Sequence, residues 1–218
     1  YGIKHYELPE YEADDIIGTM AAKAEKAGYQ VTIVTGDRDL TQLTTDKTTV
    51  AVTIKGVTEI EEYTPAHVVE KYGLQPAQIV DMKGLTGDSS DNYPGVTKVG
   101  EKTAIKLLKQ YDTIEGIYEN IEAMKKSKLK ENLTNDRELA FQCKDLATIR
   151  KDAPVALTLT ETTWPGAKKE DLLKFFEEMD FKSFIAQLQT SSADDVSAGP
   201  TLSKLEVEAL DEAKVEKL

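Results

Sequence analysis

The chain of 218 residues has one cysteine, two histidines and one tryptophan, and its longest apolar runs are no longer than a short strand. Lone Cys143 cannot form a disulfide within the chain, which fits a reducing compartment and a small buried hydrophobe better than a nucleophile. A zinc centre draws on Cys and His, and there are too few of either to build one. No apolar run, Val31 to Val34 included, is long enough to cross a membrane, and no charged-then-apolar segment opens the chain, so the expected location is the cytoplasm. Basic residues are also scarce, 27 Lys and Arg against 39 Asp and Glu, for a net charge of −12. At first sight this argues against a nucleic-acid partner. Residues 189 to 218, however, hold seven acids against three lysines and supply −4 of that total, so local patterning matters more than the sum.

What the chain does have is carboxylates in tight groups: Glu12, Asp14 and Asp15 in YEADD, Asp37 and Asp39 in TGDRD, Asp88 and Asp91 in TGDSSDN. Each group stands where a helix or strand meets a loop. If the groups converge, like charges about 5 Å apart repel by roughly 3 kcal/mol per pair at an effective dielectric near 20, so a cation must compensate them. Oxygen-only ligands suit Mg²⁺ or Mn²⁺. Each group also has an ordinary reading. Acids in a first helical turn complement the helix dipole, Asp39 could serve a turn, and TGDSSDN alone is a loop.

The order of elements predicts an α/β unit. Apolar Ile16, Ile17, Met20, Ala21 and Ala24 form one stripe of a helix from about Glu12 to Lys26, stopped by Gly28. QVTIVTG then reads as a buried strand of a parallel sheet, with Asp37 and Asp39 beyond its C-terminal end, where such sheets bind ligands. Thr48 to Tyr63 alternates like a hairpin. Thr64 and Pro65 start a helix closed by Gly73, and Pro76 opens another that ends near Gly84 to Gly87. From there to about Asp152 the pattern is mostly helical, with a long Lys-rich stretch from Met124 to Leu139. Leu146 to Arg150 is short and β-branched, as a strand returning to the sheet would be. EDLLKFFEEM and FKSFIAQL read as further helix, and residues 190 to 203 have the composition of a linker.

PGVTKVGEKTAIKLLKQY places Gly95 and Gly100 around a tight turn before a helix near Glu101. Glycines there let backbone N–H groups approach phosphate at a helix N-terminus. Lys98, Lys102, Lys106 and Lys109 recur at helical spacing. A solvated face explains such a stripe, but beside the paired glycines it suggests a sequence-independent grip on a duplex backbone.

YEADD, a strand ending TGDRDL, LTGDSSDNYPGV and KVGEKTA, in this order, closely resemble the 5′ nuclease domain of bacterial DNA polymerase I, a relative of the flap endonucleases, over about residues 1 to 188. The resemblance implies a PIN-like α/β sheet core with a helix–three-turn–helix region. It implies that Glu12, Asp14 and Asp15 bind one divalent ion, and that Asp37, Asp39, Asp88 and Asp91 bind a second or the waters between them. Gly95, Lys98, Gly100, Lys102, Thr103 and Lys106 would hold DNA, with a potassium ion at the loop carbonyls. Residues 1–64 would be the C-terminal part of the nuclease core, 65–188 the helical region, 189–203 a linker, and 204–218 the start of a 3′–5′ exonuclease-like domain. The partners implied are duplex DNA with a 5′ flap or nick and a polymerase domain in the same parent chain. The family's first strand, with its metal-binding Asp, and its helical arch would lie upstream of Tyr1. A fragment with a weak or silent active site is therefore expected.

Two rivals remain at this level. Asp37-Arg38-Asp39-Leu40-Thr41 also fits the D-x-D-x-T pattern of haloacid-dehalogenase-like phosphatases, whose aspartyl nucleophile would be Asp37; that leaves YEADD and the lysine helix unexplained. The other is a DNA-binding module without catalysis. His5 and His67 have no recognisable Ser or Cys partner, so covalent catalysis finds no support, and His67 reads as a surface residue.

Overall fold

The computed structural model describes residues 1–56 and 58–190. Backbone contacts divide the chain into two units, one of residues 6–159 and the other of residues 1–5 with those from 160 onward.

In the larger unit, α1 (Ala13–Lys26) turns its apolar stripe inward, with Ala21 buried. Gly18 is required there. A Cβ at this position would lie 2.8 Å from Ile149 Cγ2 and 2.9 Å from Arg150 O, so only glycine lets the 149–150 segment cross the helix. Gly28, at φ +92°, follows the helix end. β1 (Val31–Thr35) pairs in parallel with β2 (Thr48–Lys55), Val31 opposite Thr48 and Thr35 opposite Val52, and β2 pairs antiparallel with β3 (Glu59–Tyr63). The sheet is therefore mixed, in the order β1-β2-β3. Ile33, Val50, Val52 and Tyr63 enter the core beside Leu40 and Leu43.

Local chemistry sets the next helices. α2 (Pro65–Tyr72) is capped by Thr64, whose Oγ1 accepts a hydrogen bond from His67 N, and Gly73 closes it in the left-handed conformation at φ +67°. After a 3₁₀ turn at Pro76–Gln78, α3 (Ile79–Thr86) packs on α7 (Arg137–Ala147). Their closeness depends on Gly84, where a Cβ would meet Ala140 O at 3.0 Å and Ile114 Cδ1 at 2.7 Å. Buried Asp81 accepts from Ile114 N at 3.0 Å and from Lys144 Nζ at 2.7 Å. α4 (Glu101–Tyr111), α5 (Ile114–Glu119) and α6 (Lys128–Asn135) complete the helical part.

The Lys-rich stretch from Met124 to Leu139 is mostly helical, in two pieces: α6 ends at Asn135 and α7 starts at Arg137, with Asp136 between them. One expectation needs correcting: Leu146 to Arg150 is not a strand. Leu146 and Ala147 finish α7, and the following backbone is bound by side chains instead: Ile149 N donates to Gln42 Oε1 at 3.0 Å and Arg150 N to Asp15 Oδ1 at 2.8 Å. With those donors satisfied by side chains, the segment needs no ladder.

In the other unit, α8 (Lys169–Glu178) and α9 (Lys182–Thr190) bury Leu172, Phe176 and Leu188 together, and Trp164 Nε1 donates to Tyr1 O at 2.9 Å. Gln189 and Thr190, expected in a linker, belong to α9. The remainder of that linker, and the domain start at 204–218, lie outside the described residues.

Candidate metal centre and nucleic-acid interface

Two loops carry the central acids. Beyond β1, Asp37 N donates to Thr35 Oγ1 at 3.0 Å, and Asp37 Oδ1 accepts from Asp39 N at 2.8 Å, so the first carboxylate orients the second. A 3₁₀ turn (Asp39–Leu43) with Leu40, Thr41 and Leu43 buried anchors this corner. The other loop leaves α3 through Gly87, at φ +70°, and folds back through a short bridge: Asp88 N to Tyr93 O at 2.8 Å and Tyr93 N to Asp88 O at 3.0 Å. Ser90 N and Oγ both donate to Asp88 Oδ1. The outcome is that one carboxylate oxygen each from Asp39, Asp88 and Asp91 lies within 4.8 Å of the others, the one such group among the described residues.

Glu12, Asp14 and Asp15 open toward the same place. They line a cavity of about 390 Å³ with Asp37, Asp39, Asp91 and Tyr93. An adjoining cavity shares Asp37, Asp39 and Asp91 with it and adds Asp88 and Lys83. All seven acids thus line one or both of these cavities, though only three of them form the tight group. Asp15 is the most committed elsewhere, because its Oδ1 accepts from Arg150 N at 2.8 Å and its Oδ2 from Glu12 N at 3.4 Å. Asp14 is pushed up to about 6 by burial first and then by Asp37, Glu12, Asp39 and Asp15. This is the electrostatic cost of gathering acids.

Two neighbours of the acids were not legible as site residues. Lys83 Nζ lies 2.6 Å from Asp39 Oδ1 and is hydrogen-bonded to Asp88 Oδ2. Burial opposes the charge on Lys83, but Asp39 and Asp88 outweigh it and hold the ammonium above its ordinary range. Lys83, then Ser90, holds Asp88 well below the usual carboxylate range, while burial raises Asp39 despite the same lysine. Tyr93 is buried, and its hydroxyl has no hydrogen-bond partner among the described residues. In DMKGLTGD a single lysine has no periodicity to mark it, and only the turn of α3 aims it at the acids.

An all-oxygen donor set with more negative charge than Lys83 can offset, beside an unsatisfied phenol, suits a hydrated hard cation. The acidic group could hold a metal ion.

The glycine–lysine hairpin follows directly. Gly95, at φ +65°, crosses Gly87 so closely that a Cβ on it would lie 2.2 Å from Gly87 N. Gly95 is therefore a structural crossing point. Gly100 differs: no atom of the described residues lies within 4 Å of a Cβ there, and it stands at the N-cap of α4. Thr97 is held at the end of α6, its N–H donating to Asp136 Oδ2 and its carbonyl accepting from Asn132 Nδ2, each at 2.8 Å. Lys98 takes the left-handed conformation at φ +61°. Lys98, Lys102, Lys106 and Lys109 are exposed, and Thr103 is partly buried with its N–H bonded to Gly100 O.

Comparison with known proteins agrees with this arrangement. Residues 1–73 match the family described as 5′–3′ exonuclease, N-terminal resolvase-like domain, and residues 74–170 match 5′–3′ exonuclease, C-terminal SAM fold. DNA polymerase I of Streptococcus pneumoniae is 56% identical over 193 residues, which is 88% of this chain but 22% of that protein. The chain thus spans about a fifth of the length of that relative. T5 5′-exonuclease, solved with divalent zinc ions bound, is 25% identical with a TM-score of 0.58, over 65% of this chain and 51% of that one. A bacteriophage T5 flap endonuclease, solved as a pseudo-enzyme–product complex with DNA and metal ions, has the same fold at 24% identity, a TM-score of 0.58 and the same coverages. The match sets aside the dehalogenase-like reading, and Asp37 is occupied in orienting Asp39. With matched domains covering residues 1 to 170, the chain belongs to the 5′–3′ exonuclease family found in DNA polymerase I.

Proposed function

We propose that this chain is the 5′ nuclease part of a cytoplasmic DNA polymerase I, removing 5′ flaps and primers from duplex DNA in replication and repair by phosphodiester hydrolysis with Mg²⁺ or Mn²⁺. The observation that supports this best is the meeting of Asp39, Asp88 and Asp91 within 4.8 Å, directly before the glycine–lysine hairpin in the chain. A bound divalent ion supplies hydroxide from water at neutral pH and stabilises the leaving oxygen. Asp39, Asp88 and Asp91 would hold one ion, with Asp37 fixing Asp39. Glu12, Asp14 and Asp15 would serve a second, and Asp15 also ties α1 to Arg150. The raised affinity of Asp14 for protons marks a carboxylate that gains from a cation.

The hairpin residues bind and orient. Gly100 leaves the first N–H groups of α4 open to phosphate oxygens, with Thr103 one turn on, and Lys98, Lys102 and Lys106 add charge without reading bases. Gly95 holds the loop shape, and loop carbonyls would take a potassium ion. A related T5 enzyme was solved with DNA and metal ions, in keeping with this division of labour.

The test is made in the full-length polymerase that carries this segment. Asp88→Asn and Asp91→Asn should each abolish cleavage of a 5′-flap substrate in Mg²⁺ while duplex binding persists. Undiminished cleavage in either variant would overturn the reading.

A further inference from the structure

Lys83 is a cation of the chain's own, placed on two of the three carboxylates that an incoming ion would use. It rises from the last turn of α3, and its ammonium bonds Asp39 Oδ1 at 2.6 Å and Asp88 Oδ2, two members of the three-carboxylate group. The partners are shielded, with side-chain exposures of 18% for Lys83, 19% for Asp39 and 16% for Asp88. Asp91, the third member, is exposed and makes no ion pair with any described residue.

We infer that Lys83 competes with a divalent ion for Asp39 and Asp88, and so sets how tightly that ion is held. This rests on the reading of Asp39, Asp88 and Asp91 as ion ligands. An ammonium and a hard cation both draw on these two carboxylates and bring positive charge to the same place, so each weakens the hold of the other. Asp91 offers the ion a first ligand that Lys83 does not hold. The four-carbon stem of the lysine then lets its head withdraw without moving the backbone. Lys83 therefore has opposite effects in two states. Without metal it is the counter-charge that keeps the acids together; with metal it is a rival. A lysine with a merely structural role would stabilise both.

Mn²⁺ binding to the 218-residue chain, followed by electron paramagnetic resonance of free Mn²⁺, separates these cases when Lys83→Met and Asp91→Asn are compared with the parent. Lys83→Met should bind Mn²⁺ about tenfold more tightly at the site that Asp91→Asn removes, and should unfold at lower urea in EDTA. Lys83→Gln, which keeps a polar head, should shift affinity the same way if the Met variant fails to fold. In the unsubstituted chain, the Lys83 ammonium ¹⁵N resonance should move on adding Mg²⁺. Equal or weaker Mn²⁺ affinity without the charge, or an unmoved resonance while Mg²⁺ binds, overturns the inference and leaves the ligand reading intact. If no variant has an Asp91-dependent Mn²⁺ site, both fall.

Discussion

The acid loop and the lysine hairpin are neighbours in sequence and opposites in electrostatics. From Asp88 to Asp91 the chain gathers carboxylates with Asp39 and meets the cost with Lys83 and Ser90. From Lys98 to Lys109 it spaces four lysines along an exposed face. Charges that converge need a counter-charge at once, whereas charges that stay apart in water cost little and remain available to a polyanion. The regions meet at one point, where Gly87 and Gly95 cross. The comparison teaches that the acids are gathered by folding, whereas the lysines are kept apart and exposed.

The crossing is the place to break that comparison first. Gly95→Ala should destabilise the chain by about 3 kcal/mol in urea unfolding, because a Cβ meets Gly87 N and the left-handed backbone disfavours alanine. Gly100→Ala, which meets nothing, should cost under about 1 kcal/mol. Equal effects would remove the distinction between a structural and an open glycine.

The next effect is on binding. Replacing both Lys98 and Lys102 by alanine should flatten the slope of log affinity against log salt by about 1.8 for every duplex sequence, while urea stability stays within about 0.5 kcal/mol. An unchanged slope would make the stripe ordinary surface.

A smaller effect appears on the acid side as pH dependence. Asp14 has a folded-state pKa raised from 3.8 to about 6, so its contribution favours folding below the unfolded value and is lost as pH rises through about 6. In EDTA the urea midpoint should therefore fall over that window, and Asp14→Asn should flatten the fall. A dependence that survives the substitution would place the electrostatic cost on another acid.

The smallest effect lies away from both regions, at Glu61, which accepts from Lys71 at 2.5 Å, His67 Nε2 at 3.0 Å and the Tyr63 hydroxyl at 2.9 Å. Lys71, then His67, lowers Glu61 from 4.5 to about 2, so its contribution is present above the unfolded value and lost as pH falls through about 2. His67 is raised, chiefly by Glu61 and then Glu70. Its contribution is full below its unfolded value and lost as pH rises through the folded one. Glu61→Gln should lower the His67 pKa in an NMR titration, and an unmoved value would mean the pair is not formed in solution.

Much of the framework was legible because short-range rules produced it. The stripe of α1, the alternation of β2 and β3, and the Thr64, Pro65 and Gly73 signals of α2 each depend on residues within a turn or two. The LATIR segment misled because β-branched residues suit a strand, yet Gln42 and Asp15, over a hundred residues away, satisfy its backbone. The break at Asp136 was hidden for a similar reason: that carboxylate is held by Thr97 N, 39 positions earlier.

For the site, the residue types and the loops that carry them could be read directly, since carboxylates clustered at element ends point to a hard cation whatever the fold. The sequence by itself therefore determined the chemistry on offer: oxygen donors in three groups, and lysines at helical spacing behind a glycine turn. Only the tertiary structure decided that Asp39, Asp88 and Asp91 form the tight group, that Asp15 is a tether, and that Lys83 and Tyr93 stand among them. Side-chain identity travels with the chain, but distance between segments is set by packing, here by glycines at positions 18, 84, 87 and 95 that let backbones approach where any Cβ would hold them apart.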